Sequence, residues 1–419
     1  MEGLVLGCDL CNDYCQISCW NPERGEPEAV ELTQGSSMIS TVICRRRGKE
    51  AWLVGEAGYR CALMGEGVIV DKLIRLAGKR GTATIEGVCY SAQQLLTQFL
   101  REILEISFQK YGVREIQAIT FTLRNLDREV IDAVLEAAVS LGIDRDRVRL
   151  VSHTESFLYF SVSQRKDLWA SLCGLFDLNE EGLHYYDMTV LRGIKPQAVQ
   201  ARHEPLEEGF RLDILDSPAG EKLGDTILCS CAQRLMEKKL YSSVFLTGKG
   251  FKGCEKWAVT FTKWLCSRRK VYMEPSLFAK GAALIAADGL REKTAYPYCF
   301  LCEGRIGATV SMEVSDRGTK KRLILAEAGS NWYETRSSVE VIPDNKGELE
   351  VTVTPVGSAA GRKITLPLDE FPARPNKTTR IEIVTSFSSE KLMTVRVIDK
   401  GFGEFFPATG QMLRQEIHL

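Results

Sequence analysis

The 419-residue chain lacks an excess of charge of either sign. Lys and Arg number 54 and Asp and Glu number 55, for a formal net charge of −1. Nucleic acids and anionic membranes attract proteins through a basic excess, so this balance argues against both as partners. No apolar run approaches the roughly 20 residues that cross a bilayer. Because residues 1–14 contain no basic stretch, we also expect no secretory signal.

Cysteine, in contrast, is plentiful, with 14 residues. Thiols in a chain of this length, without a signal sequence, are typical of a reducing compartment and not of a disulfide scaffold. The length also exceeds what one hydrophobic core usually serves. We therefore expect a cytoplasmic protein of more than one domain.

The stretch GCDLCNDYCQISCW, residues 7–20, brings four of these cysteines close in sequence, namely Cys8, Cys11, Cys15 and Cys19. Their spacing allows two interpretations, a metal site or a β-hairpin that carries thiols. An apolar run, the turn-like CND and an alternating run predict the hairpin. A regular hairpin keeps four thiolates from converging on bonds of about 2.3 Å, so we expect packing cysteines and no zinc or iron–sulfur cluster. Packing is also favoured over a metal or redox role for Cys299 and Cys302.

Periodicity along the rest of the chain predicts an α/β region followed by an all-β region. Residues 91–112 are predicted to form an amphipathic helix that Ser91 caps and Gly112 ends. A second hairpin is predicted at residues 171–193, a strand entering a glycine turn at residues 242–250, and a helix at residues 255–268. From about residue 296, short alternating runs separated by turns predict an antiparallel β-sandwich.

Several stretches, in this order, resemble the 70-kDa heat-shock chaperone family of the actin-like ATPase superfamily. They are LGCDLCNDY, WLVGEAGYRCAL, VIVDKLIRLAGK, the segment from AITFTL to LYF, LFDLNEEG, VFLTGKGFKGCEKW, EPSLFAKGAALIA and MTVRVIDKGFGEF. The resemblance covers nearly the whole chain. It implies a two-lobed actin-like ATPase fold, with mixed sheets and flanking helices, for residues 1–292. For residues 296–419 it implies a β-sandwich similar to the chaperone substrate-binding domain, without a helical lid. The second-lobe insertion is shortened, since residues 182–244 have room for little more than a strand and one helix.

The resemblance also implies a nucleotide site in the cleft between the lobes. Mg²⁺ would arrive with ATP or ADP and lie near Asp9 and Asp177, without a direct protein ligand. Both His153 and Glu155 remain open as the general base, because the family's Asn-Glu-Pro-Thr motif corresponds to residues 152–155. The implied nucleotide-binding residues are Asp9, Asn12, Asp13, Lys72, Asp177, Gly248 and Gly250, and the implied catalytic residues are Lys72, Asp177 and Glu155.

Both phosphate loops depart from the family pattern. The first glycine of the family is Cys11 here, and its two threonines are Asn12 and Asp13. Three glycines of the second loop are replaced by Asn179, Glu180 and Glu181. These side chains stand where the family leaves bare backbone for phosphate oxygens, and each added carboxylate repels a phosphate by about 1–4 kcal/mol at contact range.

The departures favour a chaperone-like protein with a degenerate nucleotide site. Its β-sandwich would bind a peptide or protein client, or a protein cofactor of a chaperone. Two alternatives remain open. One is a divergent but active chaperone-type ATPase, and the other is an actin-like scaffold or filament protein.

Overall fold

The computed structural model describes residues 3–31, 36–195, 197–344 and 347–419. The chain forms two compact units. The N-terminal unit comprises Met1–Val190 and Gln200–Pro297, and the C-terminal unit comprises Leu191–Val199 and Tyr298–Leu419. The sequence suggested a division between residues 292 and 296 but did not assign residues 191–199 to the C-terminal unit. Across the described residues, no helix combines the length and the apolar character of a membrane span.

The N-terminal unit mixes strands and helices along its whole length. The strands are β1 (Leu4–Leu10), β2 (Tyr14–Asn21), β3 (Glu26–Ala29), β4 (Met38–Ser40), β5 (Ile43–Arg46), β6 (Trp52–Val54), β7 (Gly67–Val70), β8 (Thr82–Ile85), β9 (Val88–Ser91), β10 (Ile116–Leu123), β11 (Val148–Ser152), β12 (Leu172–Asn179), β13 (Gly182–Leu191), β14 (Ala198–Pro205), β15 (Tyr241–Thr247) and β16 (Lys270–Met273). The helices are α1 (Gly55–Leu63), α2 (Leu73–Gly78), α3 (Ala92–Tyr111), α4 (Arg128–Ser140), α5 (His153–Ser163), α6 (Pro218–Met236), α7 (Cys254–Trp257), α8 (Val259–Cys266) and α9 (Leu277–Gly289), with short 3-10 turns at Arg145–Arg147, Lys166–Leu168, Leu212–Asp216 and Lys249–Phe251.

Two sheets of this unit share one plan. The first contains the order β11-β10-β1-β2-β3, with β4 also paired to β2, and the second contains the order β16-β15-β12-β13-β14. In the first, β1 is antiparallel to β2 and parallel to β10, which is parallel to β11. In the second, β12 is antiparallel to β13 and parallel to β15, which is parallel to β16. Both predicted hairpins are therefore present, each at the centre of a mixed sheet.

Helices α5 and α9 lie between these two sheets. A side chain at Gly7 of β1 would collide with the backbone of α9, and one at Gly281 of α9 would collide with the backbone of Ser156 in α5. Glycine at these positions thus allows close backbone approach. Aromatic pairs place α5 against the second sheet, with ring centroids 6.2 Å apart for Phe157–Tyr186 and 5.4 Å apart for Phe160–Phe245.

One helix prediction is confirmed and another is wrong. Ser91 and Gln94 form a capping box at the start of α3, and Gly112 ends the helix with φ 67°. The single helix predicted for residues 255–268 is instead divided into α7 and α8. The carboxylate of Asp225 accepts hydrogen bonds from the Thr260 and Phe261 amides, at 2.9 and 2.8 Å, and so caps the first turn of α8 as a separate helix. That acceptor comes from α6, so no local pattern revealed it.

The C-terminal unit is antiparallel and rich in β-strands. Its strands are β17 (Cys299–Leu301), β18 (Ala308–Asp316), β19 (Thr319–Ala326), β20 (Ser337–Val341), β21 (Glu348–Pro355), β22 (Arg362–Pro367), β23 (Arg380–Ser389), β24 (Leu392–Gly401) and β25 (Met412–His418). They form the orders β19-β18-β21-β22 and β20-β23-β24-β25. Alternate residues of β23, such as Ile381 and Ile383, are buried, which is the period-2 pattern that predicted these strands.

Candidate functional site

The tips of the two central hairpins of the N-terminal unit meet. Asn12, in the β1–β2 turn, donates from Nδ2 to Glu181 Oε1 in the β12–β13 turn at 2.9 Å, and its Oδ1 accepts the Arg75 amide at 2.9 Å. Asn179 donates to both carboxylate oxygens of Asp177 at 3.0 Å and accepts the Glu181 amide at 3.0 Å. We call this region the hairpin site; it comprises Asp9, Cys11, Asn12, Asp13, Arg124, His153, Asp177, Asn179 and Glu181.

Arg124 occupies the centre of the hairpin site. It follows the last residue of β10, and its side chain is only 10% exposed. Its Nη2 lies 3.1 Å from Asp177 Oδ2, and its Nε lies 3.0 Å from Glu181 Oε2. Burial raises the pKa of Asp177, and the Arg124 guanidinium opposes that rise. One arginine thus bridges carboxylates of the strand and of the turn.

A second cluster lies at the end of β1 and the start of α5. His153 Nε2 is 2.7 Å from Asp9 Oδ1 and 3.9 Å from Cys11 Sγ, which is 3.6 Å from the same Asp9 oxygen. All three side chains are buried. The His153 ring stacks on Phe278 of α9, with centroids 4.0 Å apart and planes 11° apart. Burial, and next the Asp9 carboxylate, raise the pKa of the Cys11 thiol well above its usual value.

Asp13 carries an unusually basic carboxyl at the edge of the site. Burial, followed by the nearby Glu181 and Glu180 carboxylates, raises its pKa to about 6, while Arg124 and Lys72 act in the opposite direction. Glu180 itself points to solvent and pairs with Lys249 at 2.8 Å. The region between the hairpin tips is therefore crowded with negative charge.

The structure brings most residues implied as nucleotide-binding into one place. Asp9, Asn12, Asp13 and Asp177 all belong to the hairpin site. Lys72 is exposed and has a left-handed backbone at φ 52° just before α2. Its positive charge is near enough to lower the pKa of Asp13, against the stronger effect of burial.

Of the two open candidates for a general base, His153 contacts Asp9, whereas Glu155 is buried in the first turn of α5, where its amide donates to Ser152 Oγ at 3.1 Å. Gly248, at φ 92°, packs against β12, since a side-chain carbon there would lie 2.7 Å from Asp177 Oδ1. Gly250 follows in the next turn and leaves room for the Leu178 side chain.

The cysteine run is distributed along the first hairpin. The Cys8 and Cys15 thiols face each other across β1 and β2 at 3.5 Å, and Cys19 lies further along β2, opposite Leu6. Only Cys11 is in the turn, beside Asp9 and His153. The four sulfurs are thus arranged as the hairpin interpretation predicted.

Arg124 was not identified from the sequence, nor was a pair of histidines, His184 on β13 and His203 on β14. His184 Nδ1 and His203 Nε2 are 3.0 Å apart, and the His203 ring stacks on Tyr186 at 4.5 Å. Burial, followed by repulsion from Arg124, lowers the pKa of His184 to about 2. The one local signal for Arg124 is its position at the end of the apolar strand AITFTL, where a charged residue marks the exit from the sheet.

These observations define a mixed α/β unit, with a buried polar site between two hairpin tips, joined to an antiparallel β-rich unit. Residues 26–303 match the family of unknown function DUF5716, C-terminal part, and the chain belongs to that family. Residues 305–419 match a domain of unknown function, DUF8552. A search of curated proteins finds no match.

Proposed function

We propose that this chain is a chaperone-like protein with an actin-like fold whose nucleotide site has degenerated. In this proposal its own side chains fill the phosphate position, and a β-sandwich binds a peptide or protein partner in the cytoplasm. The observation that carries the proposal is the bridge from Asn12 through Glu181 and Arg124 to Asp177. The repeated sheet plan, with α5 and α9 between the sheets, supports the actin-like assignment that the sequence resemblance implies.

The bridge opposes nucleotide binding in two ways. A triphosphate between the hairpin tips would have to displace Arg124 from Asp177, and breaking such a buried pair costs about 3–5 kcal/mol. It would also meet the Glu181 carboxylate, which adds repulsion. A dissociation constant of about 1 µM corresponds to about 8 kcal/mol, and losing 3–5 kcal/mol weakens it to about 0.1–4 mM. The site would then be nearly empty of nucleotide at micromolar concentrations.

Calorimetric titration with Mg-ATP tests this directly. We expect no saturable heat from the native protein below about 0.1 mM nucleotide. Glu181→Ala removes the contact with Asn12 and one partner of Arg124, so it should tighten binding measurably. Glu180→Ala is the comparison variant: it removes a carboxylate of the same loop that pairs with Lys249 and not with Arg124, so it should tighten binding less than Glu181→Ala does. Micromolar binding with turnover by the native protein would overturn the proposal in favour of an active ATPase, and nucleotide-dependent sedimentation of polymers would favour an actin-like scaffold.

Partner binding is proposed for the C-terminal unit because of its exposed apolar side chains. Between β24 and β25, Phe405 is 93% exposed and Phe402 is 43% exposed, and Met412 of β25 is 52% exposed. Apolar side chains exposed on one loop and on the strand that follows it suit an extended apolar peptide, which can also add a strand to a free sheet edge.

A permanently unfolded model client, reduced and alkylated lactalbumin, is a suitable probe for fluorescence anisotropy. We expect saturable binding that weakens at least about fivefold in Phe405→Ser, a loss of about 1 kcal/mol. Ile324→Ser is the control, because Ile324 is also exposed but lies on β19 of the other sheet. Equal weakening in both variants, or no binding by the native protein, would contradict a client site at this loop.

A further inference from the structure

We propose that Asp9, Cys11 and His153 bind one zinc ion. The inference goes beyond the proposed function, which assigns no resident metal to the hairpin site, and its test uses no nucleotide, so its failure would leave the proposed function standing. The atoms are Asp9 Oδ1, Cys11 Sγ and His153 Nε2, and all three side chains are buried.

The three atoms are spaced much as zinc would space them. With bonds of about 2.0 Å to oxygen and nitrogen and about 2.3 Å to sulfur, tetrahedral ligands lie about 3.3–3.6 Å from one another. The observed separations are 2.7 Å for oxygen to nitrogen, 3.6 Å for sulfur to oxygen and 3.9 Å for sulfur to nitrogen. Shifts of roughly half an ångström would therefore bring the cluster to zinc geometry.

The same geometry does not suit a proton relay. In a thiol–imidazole–carboxylate relay the thiol and the carboxylate contact opposite ring nitrogens. Here Cys11 and Asp9 both approach His153 Nε2, and His153 Nδ1 has no hydrogen-bond partner among the described residues. Three ligand atoms within 4.8 Å of one another, as found here, are instead the arrangement that a metal ion requires.

The chemistry of the set favours zinc among the common metals. Thiolate and imidazole select zinc over magnesium and calcium, which prefer all-oxygen sites. Within the described residues, the second Asp9 oxygen is buried and has no hydrogen-bond partner. A divalent cation bound to Asp9 would compensate the charge of this buried carboxylate.

The fold holds the ligands in place before any metal arrives. Asp9 is in β1, Cys11 begins the hairpin turn, and His153 is the first residue of α5, fixed by its stacking on Phe278. The sequence argued against zinc because the four cysteines of the run could not converge. The proposed site uses only one of them and completes the set with a histidine 142 residues away.

Cobalt(II) and zinc titration of the chelator-treated full chain, without nucleotide, tests the site. We expect one Co²⁺ per chain with a thiolate-to-metal charge-transfer band, which Zn²⁺ abolishes by displacement. The band should be lost in Cys11→Ser and in His153→Gln. Both variants should bind Co²⁺ more than about 100-fold more weakly, a larger loss than the removal of a residue that only supports a ligand would cause. Cys15→Ala, which removes another buried thiol of the same hairpin, should keep the band.

X-ray absorption on the zinc-loaded native protein provides a test that needs no variant to fold. One sulfur together with nitrogen and oxygen scatterers is expected. No sulfur, or two or more, would overturn the assignment. Failure of the native chain to retain stoichiometric zinc at a protein concentration of about 10 µM, well above the dissociation constants typical of structural zinc, would overturn the proposal and leave a buried Asp9–His153 pair.

Discussion

Replacing Arg124 by methionine should destabilise the N-terminal unit strongly at neutral pH. The substitution keeps an apolar stem of similar length but removes the guanidinium that lies 3.1 Å from Asp177 Oδ2. Asp177 is fully buried and would retain only the Asn179 side-chain amide as a donor among the contacts described above. An unpaired buried charge costs about 3–5 kcal/mol. Coulomb's law at 3.1 Å with an effective dielectric constant of 20 gives about 5 kcal/mol, so the two figures agree.

The loss should depend on pH in a defined direction. Burial already raises the pKa of Asp177 in the folded protein, and removing Arg124 raises it further. The folded state then binds more protons than the unfolded state between the ordinary pKa and the raised one, so stability falls as pH rises through this window. The variant should therefore regain part of its stability between pH 7 and pH 5. The raised pKa of Asp13, about 6 and also opposed by Arg124, acts in the same direction.

Urea unfolding followed by tryptophan fluorescence measures this effect, because five of the six tryptophans belong to the N-terminal unit. The matched control is the double variant Arg124→Met with Asp177→Asn, which removes both charges and should recover more than half of the loss. Two results would refute the reasoning. One is a single variant within about 1 kcal/mol of the native protein at pH 7, and the other is a double variant whose loss equals the sum of the single losses.

Three further effects are expected. Gly248→Ala should cost more than about 2 kcal/mol of unfolding free energy because of its φ of 92° and the collision with β12, whereas Gly253→Ala, at φ 71° with open space, should cost about 1 kcal/mol. Asp399→Asn should destabilise the C-terminal unit by about 3 kcal/mol, since Arg374 binds both carboxylate oxygens at 2.8 and 2.9 Å. Burial acts to raise the pKa of Asp399, but Arg374 and neighbouring donors outweigh it and lower the pKa, so this stability is present at neutral pH and is lost in acid. Asp225→Asn should cost about 1–2 kcal/mol by weakening the cap of α8. Urea unfolding measures the first and third, and thermal unfolding at pH 7 and pH 3 measures the second.

Each of these expectations has a result that contradicts it. Equal losses of unfolding free energy at Gly248 and Gly253 would show that positive φ alone sets the cost and that the collision with β12 adds nothing. An Asp399→Asn protein with the same acid sensitivity as the native chain would remove Asp399 as its cause. An unchanged helix signal and stability in Asp225→Asn would mean that α8 starts without the carboxylate.

Local patterns in the sequence were sufficient for the elements that surround the site. Alternation and turn residues predicted the two hairpins, and the Ser91 cap and the Gly112 end predicted α3. These signals act over a few residues, because hydrogen bonding and φ preferences are set by near neighbours. Asp9, Asn12 and Asp177, which the resemblance to a chaperone family implied as nucleotide-binding residues, all lie in the hairpin site, and their role stays a prediction.

The contacts that give the site its character were decided only by the tertiary structure. Arg124 reaches Asp177 across 53 positions, His153 reaches Asp9 across 144, and Asn12 reaches Glu181 across 169. The division of the helix predicted at residues 255–268 has the same origin, a carboxylate from α6. No periodicity encodes such pairings, because they arise when glycine-mediated packing of α5 and α9 brings the ends of separate strands together. The sequence by itself determined the two hairpins, α3 and the antiparallel strands of the C-terminal unit, whereas packing determined which charges and ligand atoms share one buried space.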